Sequence, residues 1–140
     1  MAKAASSAAG YSGKSLIAKL GWKDGSKAIV IAPPADYAAL TDDAAIAVKK
    51  SAPANGSFDF IHLFVKDAAS LSRDLPKLEP RLADAGMIWV SWPKKTSKLF
   101  IDLTEDSIRK VCLQMGLVDV KVCAVDADWS GLKLLRRKRA

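Results

Sequence analysis

FDFIHLFV, at residues 58–65, is the clearest strand signal in the chain, and the prediction of the fold starts from it. The stretch is almost continuously apolar and rich in aromatic residues, which is typical of a strand buried on both faces of a parallel sheet. His62 lies in mid-strand and shares a face with the neighbouring phenylalanines, because side chains alternate along a strand. We therefore predict a central strand over Phe58–Val65 that carries a buried, hydrogen-bonded histidine.

Apolar runs on both sides of this stretch predict further strands that alternate with helices. The predicted strands cover Lys27–Ala32, Met87–Trp92, Val118–Val125 and Leu132–Arg137, with a weak strand over Ala44–Val48. Helices or helical turns are predicted after candidate N-cap residues, which are Ser12, Asp36, Asp67 and Thr104. Pro76 and Pro80 are expected to kink or divide the helix that follows Asp67.

This order of elements predicts a three-layer α/β fold of the Rossmann-like kind with a mostly parallel sheet. The link DADWSG between the last two strands is too short for a parallel crossover, so these strands are predicted to form a C-terminal antiparallel hairpin. Trp129 in this link is expected to pin the hairpin onto a neighbouring element. We assign residues 11–140 to a single α/β domain and residues 1–10 to a flexible leader.

The composition excludes several classes of protein. Half of the residues are hydrophobic, which is enough for a core without disulfides or metals. With two cysteines, one histidine and no C-x-x-C pair, we expect reduced thiols, no metal site and a cytoplasmic location. No stretch approaches the ~20 apolar residues of a membrane span, so no membrane association is expected.

Basic residues give the chain a net charge of +7, and they are concentrated at its C-terminus. Such a balance favours contact with polyanions, although a solvated tail gives the same pattern. The candidate nucleic-acid contacts are Lys133, Arg136, Arg137, Lys138 and Arg139.

The stretch GYSGKS at residues 10–15 ends like a phosphate-binding P-loop, but it fails the rest of the pattern. The first glycine of that motif falls on Ala8, and no strand precedes the loop. We interpret the stretch as the entry to a short helix.

The second half of the chain resembles S-adenosylmethionine-dependent methyltransferases of the Rossmann-like kind. The resemblance rests on the strand that begins Phe58-Asp59, the strand after Gly86-Met87 and the closing antiparallel hairpin. It implies a sheet of the methyltransferase type.

The first half departs from that resemblance where the cofactor would bind. The resemblance implies a glycine-rich turn after the first strand, and this chain has Ala32-Pro33-Pro34 there instead. Proline removes amide donors and stiffens the turn. The resemblance also implies an acidic residue after the second strand; Asp42 and Asp43 are candidates, but neither follows a convincing strand. We therefore predict that the cofactor site is lost and that no cofactor is held.

The whole chain also resembles a bacterial family that is described as a domain of unknown function. This resemblance rests on GYSGKSLIAKLGWKDG, FDFIHLFV, GMIWVSWPKK, DLTEDSIRK and VDVKVCAVDADWSGLK. It implies a cytoplasmic single-domain protein and brings no activity, cofactor or catalytic residue with it.

Ligands of open α/β sheets bind at the carboxyl ends of the parallel strands, near the point where the strand order reverses. Tyr37, Phe64 and Trp92 are expected to wall such a pocket for a flat anionic ligand, with lysines at its rim. The candidate ligand-binding residues are Pro33, Pro34, Tyr37, Phe64, Lys66, Ser91, Trp92, Lys94 and Lys95. No catalytic residue is assigned, and His62 is the first candidate if acid–base chemistry exists.

Three functions remain open at this point. The leading hypothesis is a non-enzymatic module that binds a small anionic ligand or a protein partner through a degenerate cofactor site. The alternatives are a nucleic-acid-associated protein that uses the basic tail, and an atypical S-adenosylmethionine-dependent methyltransferase.

Overall fold

The structure is a computed structural model, and it describes residues 15–23 and 25–137. Its sheet has six strands, which are β1 (Ala28–Ile31), β2 (Ala47–Lys49), β3 (Phe58–Phe64), β4 (Leu82–Pro93), β5 (Leu117–Ala124) and β6 (Trp129–Arg136). Four α-helices are described, which are α1 (Leu16–Leu20), α2 (Tyr37–Leu40), α3 (Ala68–Leu78) and α4 (Glu105–Gln114). A 3₁₀ turn at Glu79–Arg81 follows α3. The predicted leader at residues 1–10 lies outside the described residues.

The strand order is β2-β1-β3-β4-β6-β5. The pairs β2–β1, β1–β3 and β3–β4 are parallel, whereas β4–β6 and β6–β5 are antiparallel. The predicted α/β fold class, with a mostly parallel sheet and a C-terminal antiparallel hairpin, is therefore confirmed.

The two faces of the sheet carry separate apolar clusters. On one face, leucines of α3 such as Leu71 and Leu75 pack with Ile108 of α4 against Ile61 and Leu63 of β3. Each fully buried side chain of this kind stabilises the fold by about 1.5–3 kcal/mol. We call this side the α3–α4 face.

The opposite side, which we call the α1–α2 face, is more aromatic. Leu16 and Leu20 of α1 pack there with a cluster that includes Phe60, Phe64 and Trp89. The indole N–H of the buried Trp89 donates a hydrogen bond to the Leu20 carbonyl at 2.8 Å. This bond fixes the end of α1 over the sheet, because it satisfies two buried polar groups at once.

The structure differs from the predictions at the N-cap of α1 and at Pro76 within α3. Ser15, rather than Ser12, is the N-cap of α1, and its hydroxyl accepts a hydrogen bond from the Ala18 amide. Residues 10–14 of the GYSGKS stretch, Ser12 among them, lie outside the described residues. Helix α3 continues through Pro76 and ends before Pro80, because buried leucines hold its apolar face on the sheet. Asp67 and Thr104 cap α3 and α4 as predicted.

Strand β4 begins earlier than its predicted start at Met87. Leu82 pairs with Phe58 and Met87 pairs with Phe60, so the extra residues form an irregularity between these two pairs. Gly86 lies inside it and is buried. An added Cβ at Gly86 would lie 3.0 Å from the backbone oxygen of Asp59. The close approach of β3 and β4 at this point therefore requires glycine.

Candidate ligand-binding site

The four parallel strands end at a common edge of the sheet, and each is followed by a proline or a lysine. Pro33 and Pro34 come after β1, Lys49 ends β2 and Lys50 follows it, Lys66 comes after β3, and Lys94 and Lys95 follow β4. This edge is where open α/β sheets bind ligands.

An open cleft of about 380 Å³ lies beside β1 and β2 at this edge. It is lined by the turn after β1, by residues of α2 and by β2 with its flanking residues, among them Ile46, Val48, Lys49 and Lys50. Of the predicted site residues, the cleft brings together Pro33, Pro34 and Tyr37. Lys49 and Lys50 were not among the predicted site residues, although a basic pair after a strand was a usable signal.

The turn after β1 is held in an unusual backbone conformation. Ala32 has a φ of +54°, in the left-handed region that normally favours glycine. Its amide donates a hydrogen bond to the Lys49 carbonyl at 2.8 Å, so the turn is tied to the end of β2. Neither Pro33 nor Pro34 has an amide N–H, and Ala35 is the first residue after Ala32 that has one. The turn is therefore a stiff wall that offers a ligand few backbone donors.

A buried chain of polar side chains lies behind this wall. The Tyr37 hydroxyl lies 2.9 Å from His62 Nδ1, and His62 Nε2 lies 2.7 Å from the Ser91 hydroxyl. All three residues are buried, and the His62 ring stacks on Phe64 with 4.4 Å between centroids. A neutral imidazole has one donor and one acceptor nitrogen, and each hydroxyl can complement either one.

Neither His62 nor Ser91 lines this cleft. Their hydrogen bonds position Tyr37, and with it α2, on the sheet. The prediction of a hydrogen-bonded histidine in mid-strand agrees with this arrangement, and no acid–base role of His62 follows from it.

The burial of His62 makes the stability of the protein pH-dependent. Burial lowers the pKa of His62 to about 3 from its ordinary value of 6.5. Below pH 6.5 the unfolded chain takes up a proton that the folded chain excludes, so stability falls as the pH falls. We expect the free energy of unfolding to drop by roughly 1.5–2 kcal/mol between pH 6.5 and pH 5 from this group. Urea unfolding at the two pH values measures this drop in the free energy of unfolding, and the drop should be absent in a His62→Gln variant. An equal drop in that variant would mean that another group causes the pH dependence.

Phe64 and Trp92 lie on opposite faces of the sheet, so the predicted pocket between Tyr37, Phe64 and Trp92 does not form. Phe64 pairs with Ser91 across β3 and β4, and the next residue, Trp92, therefore points to the other side. Phe64 is buried on the α1–α2 face, where it meets Trp129 edge to face at 4.9 Å. This contact holds the C-terminal hairpin against β3, as was predicted for Trp129.

Trp92 instead contributes to a second cleft of about 390 Å³ on the other side of the sheet. Lys94 and Lys95 line it together with Glu105 and Asp106 of α4. The predicted site residues are thus divided between two clefts. Lys66 is exposed and lines neither of them, and Ser91 is buried away from both.

The basic residues near the C-terminus have different environments. The Arg136 guanidinium donates to the Glu79 carboxylate at 2.8 Å and to the carbonyls of Leu82 and Glu79 at 2.7 and 2.6 Å. Arg136 is therefore committed to the fold. Arg137 is exposed, Lys133 is half-buried beside Gly21, and Lys138 and Arg139 lie outside the described residues. Nucleic-acid contact through this region stays a prediction.

Metal-binding clusters and membrane-spanning helices are both absent from the described residues. No group of three or more His, Cys, Asp or Glu side chains is placed there to hold a metal ion. None of the helices in the described part of the chain is long and apolar enough to cross a membrane. Cys112 and Cys123 are free thiols.

Solved structures of methyltransferases are similar to this chain. A ribosomal protein L11 methylase from Lactobacillus delbrueckii subsp. bulgaricus is 17% identical, with a TM-score of 0.60 over 88% of this chain and 76% of its own. A TehB-like S-adenosylmethionine-dependent methyltransferase from Corynebacterium glutamicum is 11% identical, with a TM-score of 0.57 over 94% of this chain and 92% of its own. The N-methyltransferase NodS from Bradyrhizobium japonicum is 12% identical, with a TM-score of 0.52 over 80% and 74%.

No family model and no curated protein matches the chain. Membership of the bacterial family of unknown function therefore stays a prediction. At these low identities the structural likeness shows the fold alone, and it confirms the distant resemblance to methyltransferases. The chain has the Rossmann-like fold of S-adenosylmethionine-dependent methyltransferases.

Proposed function

We propose that this chain is a nucleoside-binding domain of the methyltransferase fold, and that the cleft beside Pro33 and Pro34 is its binding site. The observation that carries the proposal is the position of this cleft at the carboxyl ends of β1 and β2, beside the reversal of strand order between β1 and β3. Its volume of about 380 Å³ lies in the range of small-molecule sites. One similar structure is a methyltransferase that is named as dependent on S-adenosylmethionine. S-adenosylmethionine contains the nucleoside adenosine.

The walls of the cleft suit a flat apolar group such as a nucleobase. Ile46 and Val48 offer aliphatic surface, and Val48 is 61% exposed. Pro33 and Pro34 add a rigid part of the lining. Such surfaces bind a base by burying apolar area, with little need for backbone donors.

Binding without catalysis is our preferred form of the proposal. The Tyr37 hydroxyl is engaged with His62, and the Thr41 hydroxyl donates to the Tyr37 carbonyl at 2.9 Å. Lys49 and Lys50 are the remaining polar residues of the lining. No carboxylate or histidine faces the cleft, so a general base at ordinary pH is absent from the residues that line it.

An atypical S-adenosylmethionine-dependent methyltransferase is the second candidate, and the structural likeness to such enzymes favours it. Methyl transfer from a sulfonium does not always need a general base, so the lining of the cleft does not exclude it. Two features count against it. The proline-containing turn has few amide donors, and lysines end β2, where the resemblance implies an acid.

Isothermal titration calorimetry with adenosine, S-adenosylmethionine and S-adenosylhomocysteine tests both candidates. The test variant is Ala38→Trp, because Ala38 is exposed and lines the cleft. Its matched control is Ala39→Trp, at an exposed position of the same helix outside the lining. We expect adenosine binding that A38W weakens about tenfold or more and A39W leaves unchanged.

The outcomes separate the candidates. Binding of adenosine alone, or of all three compounds alike, supports the nucleoside-binding domain. Binding of S-adenosylmethionine and its demethylated product well above adenosine supports the methyltransferase. Absence of binding for every nucleoside, or equal weakening by the two tryptophan variants, would overturn the assignment of the cleft.

A further inference from the structure

Three lysines of the described chain converge at the C-terminal end of α1, on the α1–α2 face of the sheet. The Lys121 ammonium of β5 donates a hydrogen bond to the Lys19 carbonyl at 3.2 Å. The Lys133 ammonium of β6 lies 3.7 Å from the position that a Cβ would take at Gly21, the C-cap of α1. Burial raises the pKa of the Cys123 thiol, and the ammonium groups of Lys19 and Lys121 oppose this shift, so both charges lie near that thiol. We call Lys19, Lys121 and Lys133 the lysine cluster.

Two lysines of the cluster lie opposite each other without an acid to neutralise them. Lys121 and Lys133 are direct partners in the antiparallel ladder of β5 and β6. Like charges placed directly opposite in this way destabilise a sheet. Neither ammonium makes an ion pair with a residue in the ranges 15–23 and 25–137. The two lysines therefore carry positive charge that the described part of the fold does not compensate.

A β-bulge in β5 keeps the neighbouring acid away from the cluster. The register of β5 against β6 shifts between Asp119 and Lys121, so Val120 is an extra residue in β5. Without the bulge, Asp119 and Lys121 would lie on the same face, because side chains alternate along a strand. With the bulge, Asp119 forms an ion pair with Arg109 of α4 at 2.9 Å, whereas Lys121 reaches α1 on the other face. The bulge thus leaves this part of the α1–α2 face with cations alone.

We propose that the lysine cluster binds the phosphate groups of a nucleic-acid strand, independently of the base sequence. The surface is separate from the proposed nucleoside site, since none of the three lysines lines either cleft. Lys121 is exposed and Lys133 is half-buried, so both ammonium groups can reach phosphate oxygens and form charge-assisted hydrogen bonds. Each ammonium has three N–H donors, and the bond to the Lys19 carbonyl uses only one of those of Lys121.

The ligand is expected to be a polymer because the cluster forms an open surface of repeated positive charges. Each phosphate that meets a lysine releases counterions from a nucleic-acid strand, and this release drives binding without any contact to the bases. The net charge of +7 on the chain adds attraction at longer range. A single small anion on an open surface would gain neither advantage.

Fluorescence anisotropy with a labelled single strand of DNA of mixed sequence tests the proposal. Lys121→Gln with Lys133→Gln should weaken DNA binding about tenfold or more. The slope of log Kd against log salt concentration should fall by about 1.4, because each phosphate contact contributes about 0.7 for a single strand. Lys133→Gln alone, which removes no hydrogen bond of the described chain, should lower the slope by about half as much.

A matched control separates the cluster from a general effect of net charge. Lys94→Gln with Lys95→Gln removes the same charge from residues that line the second cleft. This control should leave the affinity for DNA within about threefold of the original value. Urea unfolding should show that the variant of Lys121 and Lys133 is about as stable as the original protein, because a like-charge pair is removed from the sheet.

Several outcomes would overturn the assignment. They are absence of DNA binding, equal weakening by the control, and inorganic phosphate that binds as tightly as the strand. Binding to phosphatidylserine vesicles without binding to DNA would also contradict it. If Lys138→Gln with Arg139→Gln abolishes DNA binding and the variant of Lys121 and Lys133 does not, the strand binds the tail instead. Ala38→Trp should leave DNA binding unchanged, so failure of the nucleoside site and failure of the lysine cluster are distinguishable.

Discussion

Replacing His62 with alanine is expected to lower the free energy of unfolding by about 4 kcal/mol. The side chain is fully buried, and its removal leaves a cavity beside Phe60 and Phe64. The change also leaves the buried hydroxyls of Tyr37 and Ser91 without the imidazole as their hydrogen-bond partner. Because domains are stable by only about 5–15 kcal/mol, this loss is large enough to be read directly from urea unfolding at pH 7.

A second variant separates the two sources of this loss. The triple change Tyr37→Phe, His62→Leu and Ser91→Ala removes all three polar groups and keeps most of the volume. It should be clearly more stable than His62→Ala, because no buried group is left without a partner. A loss below about 1 kcal/mol for His62→Ala would contradict the buried position of the imidazole.

Gly86→Ala is expected to destabilise the fold by about 2–4 kcal/mol. The new methyl group would lie 2.8 Å from a methyl of Leu82, 3.0 Å from the Asp59 carbonyl and 3.1 Å from the Ala83 carbonyl. The leucine side chain can move, but the two carbonyls belong to the paired strands β3 and β4. Relief therefore requires a shift of the backbone at the irregularity where β4 begins.

Gly116→Ala is the control for this prediction. Gly116 has a φ of +80°, and an added Cβ there meets no atom within 4 Å. Gly116→Ala tests only the preference of glycine for a positive φ and should lower the free energy of unfolding by about 1–2 kcal/mol. If Gly86→Ala is as stable as the original protein, the backbone near Asp59 yields freely and the steric argument fails.

The sequence allowed the fold class to be predicted because its strongest signals are the buried ones. FDFIHLFV and the apolar run after Gly86 become β3 and the second part of β4, which pair side by side at the centre of the sheet. The start of β4 at Leu82 was missed, because leucine at helical spacing also fits the end of α3. Only the pairing of Leu82 with Phe58 shows that this residue begins β4 and does not extend α3.

The candidate site was harder to predict than the fold, because it depends on register. Phe64 and Trp92 both end strongly apolar strands, and nothing local reveals that Phe64 lies opposite Ser91. Lys49 and Lys50 were missed as site residues for another reason. Strand β2 has three residues, all exposed, so its sequence has weak strand character and its position depends on hydrogen bonds to β1.

The exposure of β2 has a consequence for how the cleft would respond to a ligand. The lining of the cleft combines a proline-stiffened corner with an outer strand that is paired along only one of its edges. Local opening of a native protein takes least free energy where few apolar contacts are lost, so amide hydrogens of β2 should exchange with solvent before those of the inner strands. A ligand bound in the cleft would slow hydrogen exchange of the β2 amides, so their exchange rates would reveal that it is bound.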